Sequence, residues 1–461
     1  MLELAYDRSR VATGVVHVGV GGFHRAHQAM YHDRLLRAGE LEWGICGVGV
    51  LDADRRMAEV MRAQRGLYTL VEKPPSGEHR ACVIGALTEY LFAPRDREAV
   101  IEKLAAPSTR IVSLTITEGG YGLDDAAVLD DLRSPGAPRS AFGLLAEALR
   151  RRRERGAGPF TVVSCDNIPG NGGVARAALT GYARRLDPRL AAWIEEQIRF
   201  PDSMVDRITP ATTDADRRMV RERFGFDDAW PVVCEPYVQW VLEDDFAAGR
   251  PPYEDAGVQL VADVEPYELM KLRLLNASHQ ALAYFGRLCG YELVHEAAQD
   301  PLFQRFLLGY MEEEAAPTLP PVPGVDLRRY ERELIERFAN PHVRDTIARL
   351  CAESSDRIPK WLLPVIRSRL ASGGGAARAA AVVASWARYA EGADEQGAPI
   401  DVVDRLRDRV MANARRGPDA FIADRELFGD LAEDPRFAQP FRDALRSLHE
   451  RGARATLAGL A

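Results

Sequence analysis

The chain has 461 residues, with 60 Lys+Arg against 68 Asp+Glu and a formal net charge of −8, about three times the length of a typical domain of roughly 150 residues. Its 46% apolar and 28% charged residues exclude a disordered or fibrous protein, and the acidic balance without a basic stripe excludes a nucleic-acid footprint. No stretch approaches about 18 uninterrupted apolar residues and the N-terminal MLELAYDRSR lacks a basic region followed by an apolar one, so the expected protein is cytoplasmic, with neither a membrane nor a nucleic acid as partner.

In chain order, VVHVGV (15–20), WGICGVGV (43–50), LYTLVE (67–72), ACVIGALTEYLF, IVSLTITEG (111–119) and FTVVSCDN (160–167) are short apolar runs separated by helical periods. That alternation predicts a mostly parallel sheet with helices on both faces. The arginine run at 150–153 with Arg155 follows the apolar pattern of Leu144, Leu145 and Leu149 and reads as a solvated helix end. After a Pro/Gly-containing passage at 250–263 the texture becomes helical, with 3.6-period segments at 267–287, 326–350, 375–391 and 400–415. The expected organisation is an α/β domain over 1–262 and an all-α domain over 263–461. The six cysteines (46, 82, 165, 234, 289 and 351) show no CxxC pairing and sit mostly in apolar runs, which predicts buried reduced thiols. No HExxH occurs, and no metal site is expected.

The run from Val15 to His27, VVHVGVGGFHRAH, passes from a strand straight into a helical pattern. That is the context of the Rossmann dinucleotide fingerprint, in which glycines admit the pyrophosphate to a helix N-terminus. Gly19 and Gly21 fill the first two glycine positions, while the third is His24. The residues assigned to the cofactor are Gly19, Gly21, Gly22, Phe23, His24 and Arg25, together with Asp54 beyond the second strand. A carboxylate there accepts from the adenosine ribose and repels a 2′-phosphate, so NAD is the expected cofactor. Arg55 and Arg56 beside it keep NADP open.

Lysine occurs only at 73, 103, 271 and 360. On the helix opening at Pro266, Glu268, Lys271, Asn276 and His279 fall on one side at about 100° per residue. A lysine on an apolar segment loses hydration and, with it, proton affinity, as a base for alcohol oxidation requires. Tyr267 and Lys271 also form the YxxxK pair of short-chain dehydrogenases, but this chain is about twice their length and lacks TGxxxGxG.

The strings GVGGFHRAHQ (19–28), SLTITEGGY (113–121), SCDNIPGNG (164–172), FPDSMVDRITP (200–210), WPVVCEPYVQWVLED (230–244) and YELMKLRLLNASH (267–279) together resemble the long-chain polyol dehydrogenases, and within them the mannitol 2-dehydrogenases. The resemblance implies a Rossmann-type domain followed by a helical one, NAD-dependent oxidation of D-mannitol to D-fructose or of a close polyol such as D-arabinitol, no zinc, and a monomer. It implies Lys271 as general acid/base, Asn167 and Asn276 as the oxyanion donors, His279 and Asp206 as polar residues on the substrate, and Glu268 as the proton's route to solvent. Arg349 and Arg357 fall at substrate-side positions, Arg357 where close members carry lysine. Two cations there keep a hexuronate reductase as the alternative. A nucleotide-binding sensor without turnover has no need of Lys271.

Overall fold

In a computed structural model of the protein, which describes residues 4–124, 126–134 and 136–461, the apolar runs of the N-terminal half form strands. They are β1 (Thr13–Val18), β2 (Gly44–Gly49), β3 (Tyr68–Glu72), β4 (Arg80–Ile84), β5 (Leu87–Phe92), β6 (Ile111–Leu114), β7 (Thr161–Ser164), β8 (Ser203–Asp206), β9 (Val232–Cys234), β10 (Gln239–Glu243) and β11 (Gln259–Val261). Five of them make one wholly parallel sheet in the order β5-β2-β1-β6-β7. Because successive side chains point to opposite faces, each strand feeds two cores. Val16, Val18, Cys46, Val48, Val112 and Val162 pack under the helices Ala93–Ala105, Ala141–Arg155 and Asn171–Leu186. Val15, Ile45, Ile111 and Val163 pack on the other face with the helix Gln28–Arg37 and with Trp240 and Tyr253.

The segment LYTLVE is a strand, as its pattern predicts, but β3 stands outside the main sheet. It pairs antiparallel with β4 and parallel with β9, which lies far along the chain. β8, β10 and β11 make a third small sheet.

The chain divides into two compact units, Met1–Glu265 and Pro266–Ala461. Among the described residues of the second unit every named element is helical. The alanine-rich segment after Gly373 forms the helix Ala377–Ala390, whose Trp386 packs edge-on against Phe421 at 4.9 Å. Two helical periods are shorter than their patterns. The 326–350 segment breaks into Leu327–Phe338 and Ile347–Cys351, because Pro341 disfavours a helical Asn340 before it and lacks an amide proton. The helix expected over 400–415 begins only at Arg407.

The arginine run departs further from expectation. Arg150, Arg151 and Arg155 pair with Glu98, Glu102, Glu147 and Glu154 on the surface. Arg152, in contrast, is only 1% exposed. Its guanidinium donates to the carbonyls of Leu104, Ala106, Thr109, Ala157, Gly158 and Pro159 at 2.6–3.3 Å. Burial pulls it down to about 10, so this position is an internal fastening of two loops rather than part of a solvated helix end. All six cysteines are free; Cys82 and Cys289 are half-buried and the others buried.

Candidate functional site

In the first unit, the chain leaves β1 at Gly19, whose φ of +95° suits only a glycine. A Cβ there would stand 2.1 Å from the Thr115 carbonyl oxygen. The next two glycines differ, because a Cβ on Gly21 would meet nothing nearer than 4.0 Å and one on Gly22 nothing nearer than 3.8 Å. A Cβ at either would meet only ordinary contacts, so internal packing does not by itself require glycine at these two positions. With Phe23, half-buried and stacked on His27 at 5.0 Å, they open the short helix Gly22–Ala26 at the C-terminal end of the parallel sheet. That is where α/β sheets take a dinucleotide, and a half-buried glycine backbone at the start of a helix fits its pyrophosphate.

His24 and Arg25 lie inside the packing. His24 is fully buried and stacks on His17 of β1 with ring centroids 3.4 Å apart and planes 8° from parallel. A flat imidazole one ring thickness from the strand thus gives the close helix–strand approach that the fingerprint's third glycine otherwise permits. Arg25, 1% exposed, donates to the Trp230 carbonyl and lies over the Tyr68 and Trp230 rings at 5.3 and 5.8 Å. Asp54 sits beyond β2, where its Oδ2 accepts from the amides of Val50 and Leu51, both at 2.9 Å. Arg55 lies over Phe92 and Arg56 over Trp230.

Burial pushes the histidines around this turn down: His17 to about 3, His32 to about 4, and His24 well below its ordinary value. A histidine in the unfolded chain titrates near about 6.5. Between that value and the depressed ones the unfolded chain binds protons that the folded chain refuses, so the stability is complete above about 6.5 and is lost as pH falls. A plot of the unfolding midpoint against pH is therefore expected to bend downward from about 6.5, before carboxylates with ordinary values near about 4 titrate. A midpoint independent of pH down to about 4.5 would contradict the burial of neutral imidazoles.

Two further sequence-assigned residues stand on the same unit. Asn167 is exposed, in the bend after β7, and Asp206 is buried at the end of β8, paired in register with Gln239. Sequence reasoning missed what holds the Asn167 bend. Asp166 accepts from the amides of Ile116 and Thr117 and from the Tyr121 hydroxyl, while Asn171 donates to the Asp166 and Ser203 carbonyls. Thr117 takes the rare φ of +63° for a β-branched residue, held by that bond to Asp166. All lie within or beside the conspicuous strings SLTITEGGY, SCDNIPGNG and FPDSMVDRITP, which were the available signal.

In the second unit, Glu268 closes toward the end of the helix Glu265–Met270, after which Lys271–Asn276 is π-helical before Ala277–Leu288 resumes the α-helix. Glu268, Lys271, Asn276 and His279 are all buried, at 5–8% exposure. The assumed 100° per residue fails across this stretch, since i→i+5 bonding puts more residues in a turn, so Lys271 and Asn276 belong to one widened turn. The Asn276 side-chain oxygen is buried without a hydrogen-bond partner among the described residues, and the His279 ring packs on Phe338 at 4.3 Å. The helix is pinned by Gln280, which donates to the Leu350 carbonyl, and by Tyr284, which donates to Ser354. Arg349 forms a two-pronged ion pair with Asp345. Arg357 donates to the Arg349 and Leu350 carbonyls at 3.1 and 3.2 Å.

The first unit thus has a parallel Rossmann-type sheet with a glycine-bearing turn after β1, and the second unit is helical with a buried lysine on a π-widened turn. Residues 13–255 match the mannitol dehydrogenase Rossmann domain and residues 263–449 the mannitol dehydrogenase C-terminal domain. The chain belongs to the mannitol dehydrogenase family. It is 45% identical to a mannitol 2-dehydrogenase of Aspergillus fumigatus, covering 98% of this chain and 94% of that one. It is 43% identical to mannitol dehydrogenase 2 of Saccharomyces cerevisiae, covering 97% and 92%. Among solved structures, the Pseudomonas fluorescens mannitol 2-dehydrogenase in ternary complex with NAD and D-mannitol superposes with a TM-score of 0.94 at 43% identity, covering 99% of this chain and 96% of that one. A D-sorbitol dehydrogenase in substrate-free form gives 0.85 at 39% identity, covering 98% and 96%. Among the described residues no helix is long and apolar enough to cross a membrane.

Proposed function

We propose that the protein is an NAD-dependent secondary-alcohol dehydrogenase interconverting D-mannitol and D-fructose, or a close polyol such as D-arabinitol, with lysine in place of a metal. The observation that carries the reading is buried Lys271 on one widened turn with Asn276, in a chain similar over 99% of its length to an enzyme complexed with NAD and D-mannitol. The backbone of Gly19, Gly21, Gly22 and Phe23 would hold the pyrophosphate, with Asp54 on the adenosine ribose and His24 and Arg25 shaping the turn from within. Bound NAD supplies the hydride acceptor. Lys271 takes the hydroxyl proton, and Glu268, three residues earlier, leads it to solvent. Asn276 and Asn167 donate to the oxygen as negative charge grows on it, each donor being worth roughly 3 kcal/mol. His279 and Asp206 orient the substrate hydroxyls.

A hexuronate reductase needs cations for the substrate carboxylate, whereas Arg349 is committed to Asp345 and Arg357 to two carbonyls. The pairing of Arg349 with Asp345 favours the neutral polyol. The family resemblance supports a monomer, and six free cysteines suit the reducing cytoplasm. A spectrophotometric screen of NADH consumption against fructose, xylulose, fructuronate and tagaturonate tests the reading. Fructose or xylulose is expected to be reduced, and turnover confined to the two uronates would overturn it.

Two predictions arise here. Among the described residues no three His, Cys, Asp or Glu side chains are placed to hold a metal ion, and the lysine and asparagines stabilise the charges that zinc otherwise would. Prolonged treatment with EDTA or phenanthroline is expected to leave mannitol oxidation unchanged; loss on chelation with recovery on zinc addition refutes the lysine mechanism. The second concerns cofactor choice. Asp54→Asn keeps an oxygen for the Val50 and Leu51 amides while removing the charge that repels a 2′-phosphate, with Arg55 and Arg56 left in place. Relief of one close like-charge contact is expected to raise the NADPH/NADH ratio of kcat/KM about 10-fold or more. An unchanged ratio shows that Asp54 does not read the ribose.

A further inference from the structure

His17 lies on β1 two residues before the left-handed Gly19 and is fully buried. The parallel register of β1 on β6 sets it opposite Ser113. Its Nδ1 lies 2.8 Å from Ser113 Oγ and its Nε2 lies 2.9 Å from Thr115 Oγ1. The Thr115 hydroxyl in turn donates to the Gly19 carbonyl oxygen at 2.7 Å. A hydroxyl has a single proton to give. Thr115 gives it to Gly19, which can only accept, so Thr115 Oγ1 accepts from His17 and the imidazole proton is on Nε2. Nδ1 of the neutral ring is then the acceptor for the Ser113 hydroxyl. The tautomer follows from the neighbours' capacities, and the stacked His24 ring covers one face of the imidazole.

We infer that His17 is a positioning residue for nucleotide binding: acting through Thr115, it holds the Gly19 carbonyl, and with it the Gly19–Gly22 turn, in the shape that receives the pyrophosphate. A glycine peptide at φ +95° rotates more readily than any other, because no side chain confines it. A hydrogen bond on its carbonyl confines it instead. If the receptive shape is populated only part of the time, the apparent dissociation constant rises by the inverse of that fraction. Ser113, His17 and Thr115 thus act on affinity without touching the cofactor. The inference rests on the NAD-dependent reading of the same turn.

The test titrates NADH by fluorescence, and measures kinetics in NAD and mannitol, for the parent and for Thr115→Val, His17→Asn, His17→Gln and the double variant Thr115→Val/His17→Asn. Glutamine can place an N–H where Nε2 stands; asparagine is too short. Thr115→Val and His17→Asn are expected to weaken NADH binding about 10-fold, the scale of one hydrogen bond, with kcat at saturating NAD and the mannitol KM changed less than about twofold. His17→Gln is expected to stay within about threefold of the parent, and the double variant to be no weaker than Thr115→Val, since both substitutions break one chain of bonds. If His17→Asn fails to fold, Thr115→Val, which keeps the imidazole, decides alone. Unchanged NADH affinity in Thr115→Val, equal losses in His17→Gln and His17→Asn, or additive losses in the double variant would overturn the inference. A parent that binds NADH but oxidises no polyol would sink the mannitol reading and leave the positioning role measurable by titration; a parent that binds no NADH sinks both.

Discussion

Replacing Lys271 by alanine is expected to lower kcat for mannitol oxidation by about 10²- to 10⁴-fold, the range for loss of a general base, while the dissociation constant for NADH changes less than about twofold. The asymmetry follows from placement. Lys271 is on the π-helical turn of the second unit, whereas the open glycines and Asp54 belong to the first. On the proposed mechanism, removing the amine takes away the proton acceptor and leaves the glycine turn of the first unit intact. Because Lys271 is 5% exposed, the truncation also vacates a buried space, so a thermal melt accompanies the kinetics. A folded variant that oxidises mannitol at near the parent rate would refute the lysine mechanism, and a variant that has lost NADH binding would show that the lysine belongs to the nucleotide site.

Arg152→Ala is expected to destabilise the first unit by about 3–5 kcal/mol, the scale of several carbonyls losing their donor, and to lower its unfolding midpoint by roughly 10 °C. The guanidinium gathers six carbonyls from the segments 104–109 and 157–159, which flank β6 and β7. Alanine leaves those oxygens, buried at Leu104 and Thr109 and part-buried at the other four, without their donor, and each fully buried unsatisfied group costs about 1–3 kcal/mol before relaxation. Arg152→Lys, with three donors on one nitrogen in place of a planar fork, is expected to recover less than half of the loss. A midpoint within about 2 °C of the parent in the alanine variant would show that water replaces the guanidinium without penalty.

That arginine marks a limit of legibility. Nothing in Arg150-Arg151-Arg152-Arg153 distinguishes the third member from its neighbours, because the carbonyls that claim it are supplied by distant loops. The parallel sheet, by contrast, was legible: a strand buried on both faces is almost wholly apolar, as ICGVGV is and as VVHVGV is apart from His17. The strand β3 was legible as a strand but not as a member of its own sheet, since the pairing partner Val232–Cys234 is set by topology and not by local pattern. At the nucleotide turn the visible irregularity was informative. His24 in the third glycine position looked like a weakened match, and it fills the helix–strand interface with a ring stacked flat on His17. Asp166 was hidden in plain view beside Asn167, because a carboxylate that fastens backbone amides has the same letter as one that meets a ligand.

The widened turn at Lys271–Asn276 amounts to one extra residue spliced into an ordinary helix, and its arithmetic constrains how the segment tolerates change. Excising any one residue between Met270 and Ala277 would let regular i→i+4 bonding close across the gap. The helix would be locally more regular, and because the widened turn absorbs about one residue, the two flanks would keep nearly the same facing. With a residue taken from 272–275, Lys271 and Asn276 would stand four positions apart on a regular turn instead of five apart on a widened one. Substitutions here alter one side chain at a time, whereas a change of length by a single residue exchanges the widened turn for a regular one and resets the distance between Lys271 and Asn276, so MKLRLLNASH is constrained in length as well as in its letters.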